Sequence, residues 1–192
     1  MPRPREFDRQ EALQRALETF QEKGFEAASL QELVDRMGIG RASLYGTFGN
    51  KERLFGEAMD LYARESEARL LATLSSPGAP KLVLTRFFRQ LVDHHAGPGA
   101  RSCLMVKAAL STRCSDVGTA RRLAASSEAM DGAFHVLLTR AKHVGQLRRH
   151  SPREGARFLT NTVQGLIVTA RIRPDRRVLR GIARVALSLL DD

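Results

Sequence analysis

Residues 29–55, SLQELVDRMGIGRASLYGTFGNKERLF, decide the fold of this chain. They predict two short helices joined by a glycine-bearing turn, followed by the start of a third helix. Ser29 can cap the first helix, and Glu32 completes a capping box. Apolar residues then recur at helical spacing, at Leu30, Leu33, Val34 and Met37. Gly38 ends this helix and Gly40 precedes the next one. The pattern is typical of a helix-turn-helix unit, whose second helix can lie in the DNA major groove.

The second helix and the start of the third carry the candidate DNA contacts. Leu44 and Phe48 are four residues apart and are expected to point into the core. The residues expected at base edges are Arg41, Ala42, Ser43, Gly46 and Thr47. Tyr45 combines an apolar ring with a polar hydroxyl, which suits a phosphate contact. Asn50 can cap the third helix, and Lys51 lies in its first turn, where a helix N-terminus and a lysine together favour phosphate.

This segment resembles the DNA-binding domain of the TetR family of transcriptional regulators. The family pattern Leu-Tyr-x-x-Phe-x-x-Lys-x-x-Leu-Phe is matched by Leu44, Tyr45, Phe48, Lys51, Leu54 and Phe55. The preceding helix also matches, with Ala12, Leu13, Ala16, Leu17 and Phe20 before Gly24-Phe25. Gly40 departs from the usual Ser or Thr cap, and Gly46-Thr47 replace a frequent basic or aromatic pair. The resemblance covers about residues 8 to 58. It implies a homodimeric repressor that binds a palindromic, double-stranded DNA operator and is released by an inducer.

The composition narrows the class of protein. The chain has 192 residues, of which 43% are hydrophobic, so it can form a buried core. No run of eighteen apolar residues occurs, so no transmembrane helix and no membrane partner are expected. The first ten residues, MPRPREFDRQ, lack the apolar segment of a secretory signal. Two cysteines without a paired framework suit a reducing compartment, so we expect a cytoplasmic protein.

The net charge of +10 is distributed unevenly. Residues 1–60 hold 9 Lys or Arg and 11 Asp or Glu, whereas residues 61–192 hold 22 and 10. The positive excess therefore lies outside the predicted DNA-binding segment. DNA contact must depend on local placement rather than on bulk charge, at Arg3, Arg5, Arg41, Tyr45 and Lys51. Arg3 and Arg5 belong to an N-terminal arm that either enters a minor groove or frays as a tail.

The remainder of the chain also predicts helices. Periodic apolar segments separated by Gly and Pro predict helices at 51–74, 80–95, 103–112, 117–144, 152–172 and 175–190. No alternating pattern of strand length is present. We therefore predict an all-α fold with an N-terminal helix-turn-helix domain, residues 1–50, and a larger helical regulatory and dimerisation domain, residues 51–192. The helix from Lys51 links the two.

The family resemblance implies that the last two helices pair with those of a second chain in a four-helix bundle. The candidate interface residues are Phe158, Val163, Leu166, Ile167, Ile182, Val185 and Leu189. The alternative is that both apolar stripes pack only within the monomer. A candidate ligand pocket is expected among Phe87, Leu91, Met105, Met130 and Phe134.

Residues 101–114, RSCLMVKAALSTRC, resemble the NemR-type subgroup of the family, some of whose members sense electrophiles or hypochlorite through the cysteine. Independently, Cys103 begins a predicted helix, and Arg101 and Lys107 are placed to favour its thiolate. The alternative is a buried cysteine that acts as a small hydrophobe. Cys114 is a second thiol, but eleven helical residues would separate the two by about 16 Å, beyond the ~7 Å that a disulfide allows.

The sequence offers no catalytic site. It contains no GxSxG, P-loop or GxGxxG motif and no acids placed for acid–base chemistry, so neither an enzyme nor a cofactor is expected. His94, His95 and His135 lack the spacing of metal ligands, so no metal is expected. The alternative function is a helical small-molecule sensor or interaction protein without DNA binding. A gel-shift on the DNA that flanks the gene separates the two.

Overall fold

The structure, a computed structural model, describes residues 7–97, 103–111 and 116–191. In this part of the chain all regular structure is helical, as predicted. The helices in chain order are α1 Arg9–Ala27, α2 Leu30–Met37, α3 Arg41–Phe48, α4 Lys51–Leu74, α5 Pro80–His95, α6 Leu104–Ala109, α7 Val117–His143, α8 Pro152–Ile172 and α9 Arg176–Leu187. A short 3₁₀ helix, Ser188–Leu190, follows α9. No helix among the described residues is long and apolar enough to span a membrane.

Helix α1 supplies the first layer of the N-terminal core. The Asp8 carboxylate accepts a hydrogen bond from the backbone N–H of Gln10 at 2.7 Å and so starts the helix. The backbone leaves helical geometry at Gly24, where φ is 82°. Glycine tolerates this left-handed value because it has no Cβ. The break lets the chain turn toward α2.

The capping box predicted for α2 is present. The backbone N–H of Glu32 donates to Ser29 Oγ at 3.2 Å, and the backbone N–H of Ser29 donates to Glu32 Oε2 at 3.3 Å. The Lys23 ammonium also donates to Glu32, and these bonds hold the pKa of the carboxyl below its ordinary value. Gly38 ends α2 in the left-handed conformation, with φ at 68°. The tight turn of the helix-turn-helix unit follows from this glycine.

Inter-residue contacts divide the chain into two compact units. The first contains the chain up to Glu65 together with Cys103–Leu123. Its core contains the fully buried side chains Phe20, Leu33, Leu44, Leu54 and Leu104. The second contains Ser66–Ser102 and Ala124–Asp192, with Phe88, Phe134, Leu137, Leu159 and Leu166 in its core. The functional division expected from the sequence, 1–50 and 51–192, stays a prediction.

Most helix limits agree with the predicted ones. Helices α4, α5 and α8 begin and end where the Gly and Pro signals placed them. Helix α6 is shorter than predicted, because Cys103 is its N-cap residue and Leu110 already lies at its C-cap. Helix α9 starts after Asp175, whose carboxylate accepts from the backbone N–H of Arg177 at 2.8 Å. Its last predicted turn tightens into the 3₁₀ helix, which is common at helix ends.

Candidate nucleic-acid interface

Helix α3 has a buried side and an open side. Leu44 and Phe48 are buried in the core of the first unit. The predicted contact residues lie on the remaining surface of α3, exposed or half-buried: Arg41, Ala42, Ser43, Tyr45, Gly46 and Thr47. Tyr45 keeps 49% of its surface exposed, although tyrosine carries a large apolar ring. The structure therefore brings together on one short helix all the residues predicted to read DNA.

The N-terminus of α3 is open as well. Gly40 is the N-cap residue, and no side chain caps the first turn of α3 in the described structure. The backbone N–H groups of this turn are therefore available to an anion. Arg41 Nη2 donates to Gln31 Oε1 at 2.9 Å, which holds the guanidinium against the first turn of α2. A Ser or Thr cap at position 40 would have used one of these N–H groups.

Lys51 lies at the start of α4, in the turn that Asn50 caps. The backbone N–H of Arg53 donates to Asn50 Oδ1 at 2.8 Å. The Lys51 ammonium lies 4.6 Å from the centre of the Phe25 ring, a cation–π contact that orients the charge and does not neutralise it. Within the described ranges, neither Lys51, Arg53 nor Arg41 makes an ion pair. The described part of the chain therefore leaves three cations around α3 without a carboxylate partner.

Five other basic side chains of the first unit form ion pairs with carboxylates. The pairs are Arg9–Glu57 at 2.6 Å, Arg15–Glu11 at 2.5 Å, Arg36–Glu22 at 2.6 Å, Arg122–Asp60 at 2.8 Å, and Lys23–Glu32. These pairs engage five of the eleven acids of residues 1–60. Helix α3 itself carries Arg41 and no acidic residue, so its own charge is positive although acids outnumber bases in the segment. Arg3 and Arg5, the other predicted contacts, lie outside the described residues.

The candidate sensor residues lie partly in the described structure. Cys103 is half-buried and packs against the core of the first unit. The Lys107 ammonium donates to the backbone carbonyl oxygens of Gln21 at 2.6 Å and Glu22 at 2.7 Å. It is therefore engaged with α1, a contact that its i+4 spacing from Cys103 does not reveal. Arg101 and Cys114 lie outside the described residues.

The five candidate pocket residues fall into two groups. Phe87, Leu91, Met130 and Phe134 share the hydrophobic cluster of the second unit. The rings of Phe87 and Phe134 meet edge to face with centroids 5.4 Å apart. Met105 belongs instead to the core of the first unit, because α6 packs its apolar side against α1. The pocket stays a prediction, for which the structure unites four of the five residues.

The residues predicted to form the dimer interface differ in how far the single chain buries them. Val163 and Leu166 are 2% and 0% exposed within the single chain, and half-buried Ile167 packs against the same core. Ile182 and Leu189 are also half-buried and pack against this core. Val163 and Leu166 are therefore covered by the chain itself, and the dimer interface stays a prediction. Phe158 and Val185 are 45% and 68% exposed. Periodicity could not separate them, because α8 and α9 each carry two apolar sides.

The outer apolar sides of α8 and α9 share an alternating four-three spacing, which is typical of helices that pack side by side. On α8 this stripe contains Phe158, Thr162, Gly165, Thr169 and Ile172. On α9 it contains Val178, Ile182 and Val185, and it continues to Leu189 in the 3₁₀ helix. Ile182 and Leu189 are half-buried at the inner edge of the stripe. The hydroxyls of Thr162 and Thr169 donate to carbonyls of their own helix, both at 2.8 Å. Thr162, Gly165, Thr169 and Ile172 were not among the predicted interface residues, because they are less apolar or lie at the helix end.

No three His, Cys, Asp or Glu side chains in the described ranges lie close enough together to hold a metal ion. The rings of His94 and His95, two of the histidines considered as ligands, pack edge to face with centroids 4.8 Å apart. Their contact is therefore with each other.

The helix-turn-helix segment and the whole chain are similar in sequence to known regulatory proteins. The family model for bacterial regulatory proteins of the tetR family matches residues 12–58. The HTH-type transcriptional regulator YezE of Bacillus subtilis is 34% identical, with both chains covered completely. The HTH-type transcriptional repressor ComR of Escherichia coli is 29% identical over 97% of this chain and 90% of its own length.

Similar solved structures extend the likeness to the whole fold. The TetR family regulator CifR, a cysteine mutant complexed with 26-bp operator DNA, is 32% identical with a TM-score of 0.84, covering 96% of this chain and 98% of that one. The reduced form of E. coli NemR is 18% identical with a TM-score of 0.85, covering 93% and 94%, and shares the fold. The chain therefore belongs to the tetR family of bacterial regulatory proteins, and it is a DNA-binding transcriptional repressor of that type rather than an enzyme.

Proposed function

We propose that the protein is a homodimeric repressor that binds a palindromic, double-stranded DNA operator through α3 and the start of α4. This proposal rests on three cations, Arg41, Lys51 and Arg53, which have no carboxylate partner among the described residues. They lie around the exposed side of α3, whose N-terminus has no side-chain cap there. The operator complex of CifR, which is 32% identical, supports DNA as the partner. Because that partner is DNA, we also propose a cytoplasmic location.

The contacts divide by chemistry. Arg41, Ala42, Ser43, Gly46 and Thr47 meet base edges, since α3 is about 12 Å long and fits the major groove. Tyr45 and Lys51 contact phosphates on either side, which orients the helix without reading sequence. In the dimer the two recognition helices lie about 34 Å apart, one turn of DNA.

A gel-shift with DNA that flanks the gene tests the proposal. The full-length protein is expected to retard one fragment, and unlabelled copies of that fragment compete while random DNA does not. Mapping the protected bases should then reveal a palindrome. If no fragment is retarded even at low salt, where phosphate contacts are strongest, the proposal is wrong and the alternative of a helical sensor without DNA binding gains support.

The dimer forms through the outer stripes of α8 and α9. These stripes expose Phe158 and Val185 in the single chain, although burial of such side chains stabilises proteins. Arg177, Arg180 and Arg184 are also exposed on α9, but at 3.6 residues per turn they lie roughly 140° around the helix from the stripe. Two copies can therefore join their apolar stripes without burying these arginines.

Release from the operator follows modification of Cys103 or binding of a small molecule. Cys103 caps α6 and packs against the first core, so an adduct on its sulfur changes how α6 packs on α1. The rival is a non-covalent ligand in the cluster that contains Phe87, Leu91, Met130 and Phe134. Only a modification or ligand that favours one arrangement of the protein can shift its DNA affinity.

N-ethylmaleimide and hypochlorite distinguish the two forms of release. Treated wild-type protein should lose operator binding, whereas the Cys103→Ser variant should retain it. If the variant loses binding as readily as the wild type, the thiol is not the sensor. A screen of small apolar ligands against the same complex then tests the second form.

A further inference from the structure

Residues 103–111 and 116–123 belong to the same compact unit as the DNA-binding helices, although they begin 55 positions after the last residue of α3, Phe48. Leu104 and Ala108 of α6 are buried in the same core as α1. The Lys107 ammonium binds the carbonyls of Gln21 and Glu22, and Ser111 Oγ donates to the carboxylate of Glu26. The two bonds from Lys107 lie before the Gly24 break, and the bond from Ser111 lies after it. Helix α6 and the residue that follows its C-cap are therefore hydrogen-bonded to α1 on both sides of the break.

A second fastening joins the start of α7 to α4. Arg122 Nε donates to Asp60 Oδ1 at 2.8 Å, and Arg122 Nη2 donates to Asp60 Oδ2 at 3.1 Å. This is the two-pronged geometry that a guanidinium and a carboxylate favour. Asp60 lies nine residues after Lys51 in one continuous helix. The pair thus links α7 to the helix whose first turn holds the phosphate-binding lysine.

The Arg122 guanidinium packs against two glycines that leave room for it because they have no side chain. A Cβ on Gly56 would lie 3.1 Å from Arg122 Cζ, and a Cβ on Gly118 would lie 3.2 Å from Arg122 Nη1. Asp116 precedes α7, and its carboxylate accepts from the backbone N–H of Thr119 at 3.0 Å. Hydrogen bonds from the Thr119 hydroxyl and from this N–H hold the pKa of the Asp116 carboxyl below its ordinary value. The Arg122 guanidinium therefore packs closely against Gly56 of α4 and Gly118 of α7, in addition to its contact with Asp60.

The pair is partly exposed, at 34% and 41% of the two side chains. Exposed ion pairs contribute little to stability because water screens them. A two-pronged contact does, however, restrict how α7 lies along α4. We therefore expect the Arg122–Asp60 pair to fix the position of α7 on α4 and to add little to the free energy of unfolding.

We propose that Arg122 is a positioning residue whose contact with Asp60 holds α4, and with it the reading helix, in the arrangement that binds a palindromic operator. Release of Arg122 from Asp60 is the step by which the regulatory unit lowers DNA affinity. Helix α7 continues without interruption from Arg122 to Leu137 and Leu138 in the core of the second unit. A change in packing around Leu137 and Leu138 therefore acts on the same helix that carries Arg122. The inference rests on the proposed function.

The test compares Arg122→Gln and Asp60→Asn with the matched control Arg121→Gln. Arg121 is the neighbouring exposed arginine of α7, so its replacement removes the same charge and leaves the pair intact. Affinity is measured by fluorescence anisotropy for the full palindrome and for a duplex that holds one half-site. Sedimentation and thermal unfolding of each variant show that dimer and fold persist.

We expect Arg122→Gln and Asp60→Asn each to weaken palindrome binding about tenfold relative to Arg121→Gln and to leave half-site binding unchanged. A half-site engages one reading helix and does not require the spacing between two. The double variant should bind the palindrome no worse than either single variant, because both remove one contact. Palindrome affinity equal to that of Arg121→Gln, or a parallel fall in palindrome and half-site affinity, overturns the inference. If wild type binds neither duplex, the proposed function itself fails.

Discussion

The Lys51 ammonium lies 4.6 Å from the centre of the Phe25 ring. Phe25 follows the Gly24 break in α1, and its ring also packs 5.0 Å from the ring of Phe55 in α4. The break therefore turns an aromatic ring toward the first turn of α4, where it supports the charge of Lys51 in a fixed place. The Gly-aromatic pair of the family pattern acquires a physical role here, which is to orient the lysine proposed to bind phosphate.

Lys51→Ala is expected to weaken binding to all DNA sequences. Loss of one phosphate contact should lower the slope of log affinity against log salt by about 0.9. A salt series with specific and random duplexes measures this slope. Lys23→Ala is the matched control, because Lys23 already pairs with Glu32 and has no proposed DNA contact. A slope for Lys51→Ala equal to that of wild type would refute the phosphate assignment.

Arg41→Ala is expected to relax sequence preference rather than to weaken binding uniformly. Its guanidinium is held by Gln31 at the open end of α3, where base edges are proposed to lie. The loss at the contacted base pair should be roughly 1–3 kcal/mol. Affinities for operator variants changed one position at a time provide the measurement. An equal loss across all variants would instead assign Arg41 to phosphate.

Val185→Glu is expected to split the dimer. Val185 is 68% exposed in the single chain, so the substitution leaves the monomer core intact and puts a charge into the shared stripe. Val136→Glu is the control, since Val136 is 62% exposed on α7 outside that stripe. Sedimentation at micromolar concentration should show a monomer for the first variant and a dimer for the second. Leu166→Glu cannot serve, because Leu166 is 0% exposed and its loss destabilises the monomer.

Stability is expected to fall as the pH is lowered from 6.5 to about 4.5. Burial, with a smaller contribution from neighbouring His94, lowers the pKa of His95 from 6.5 to about 4. In this window the unfolded chain binds a proton that the folded chain does not, so acid favours unfolding. The window stops near 4.5 because carboxyls with lowered pKa, such as Glu32 and Glu154, begin to contribute below it.

Urea unfolding across that window tests the assignment. The His95→Gln variant should show a shallower fall in the free energy of unfolding than wild type, with the difference between them constant above pH 6.5. His150→Gln, at an exposed position, provides the comparison. Parallel curves for wild type and His95→Gln would show that His95 does not cause the acid dependence.

The sequence by itself determined the local structure. Ser29 with Glu32 and Asn50 before Lys51 mark helix starts, and Gly38 marks a helix end, because each signal acts through backbone hydrogen bonds within a few residues. The same short-range signals defined the recognition helix and its buried residues, Leu44 and Phe48. Family resemblance then extended the prediction to DNA binding.

Only the tertiary structure decided which apolar side of α8 and α9 faces inward. Leu166 and Val185 are both apolar residues at helical spacing in the sequence. Leu166 is nevertheless fully buried in the structure, whereas Val185 is mostly exposed. It also placed Lys107 on the carbonyls of α1 and Arg122 on Asp60, contacts between residues 62 or more positions apart. Periodicity states that a helix has an apolar side, but not which element covers it. That choice depends on how distant helices pack against one another, where shape and volume outweigh local preference.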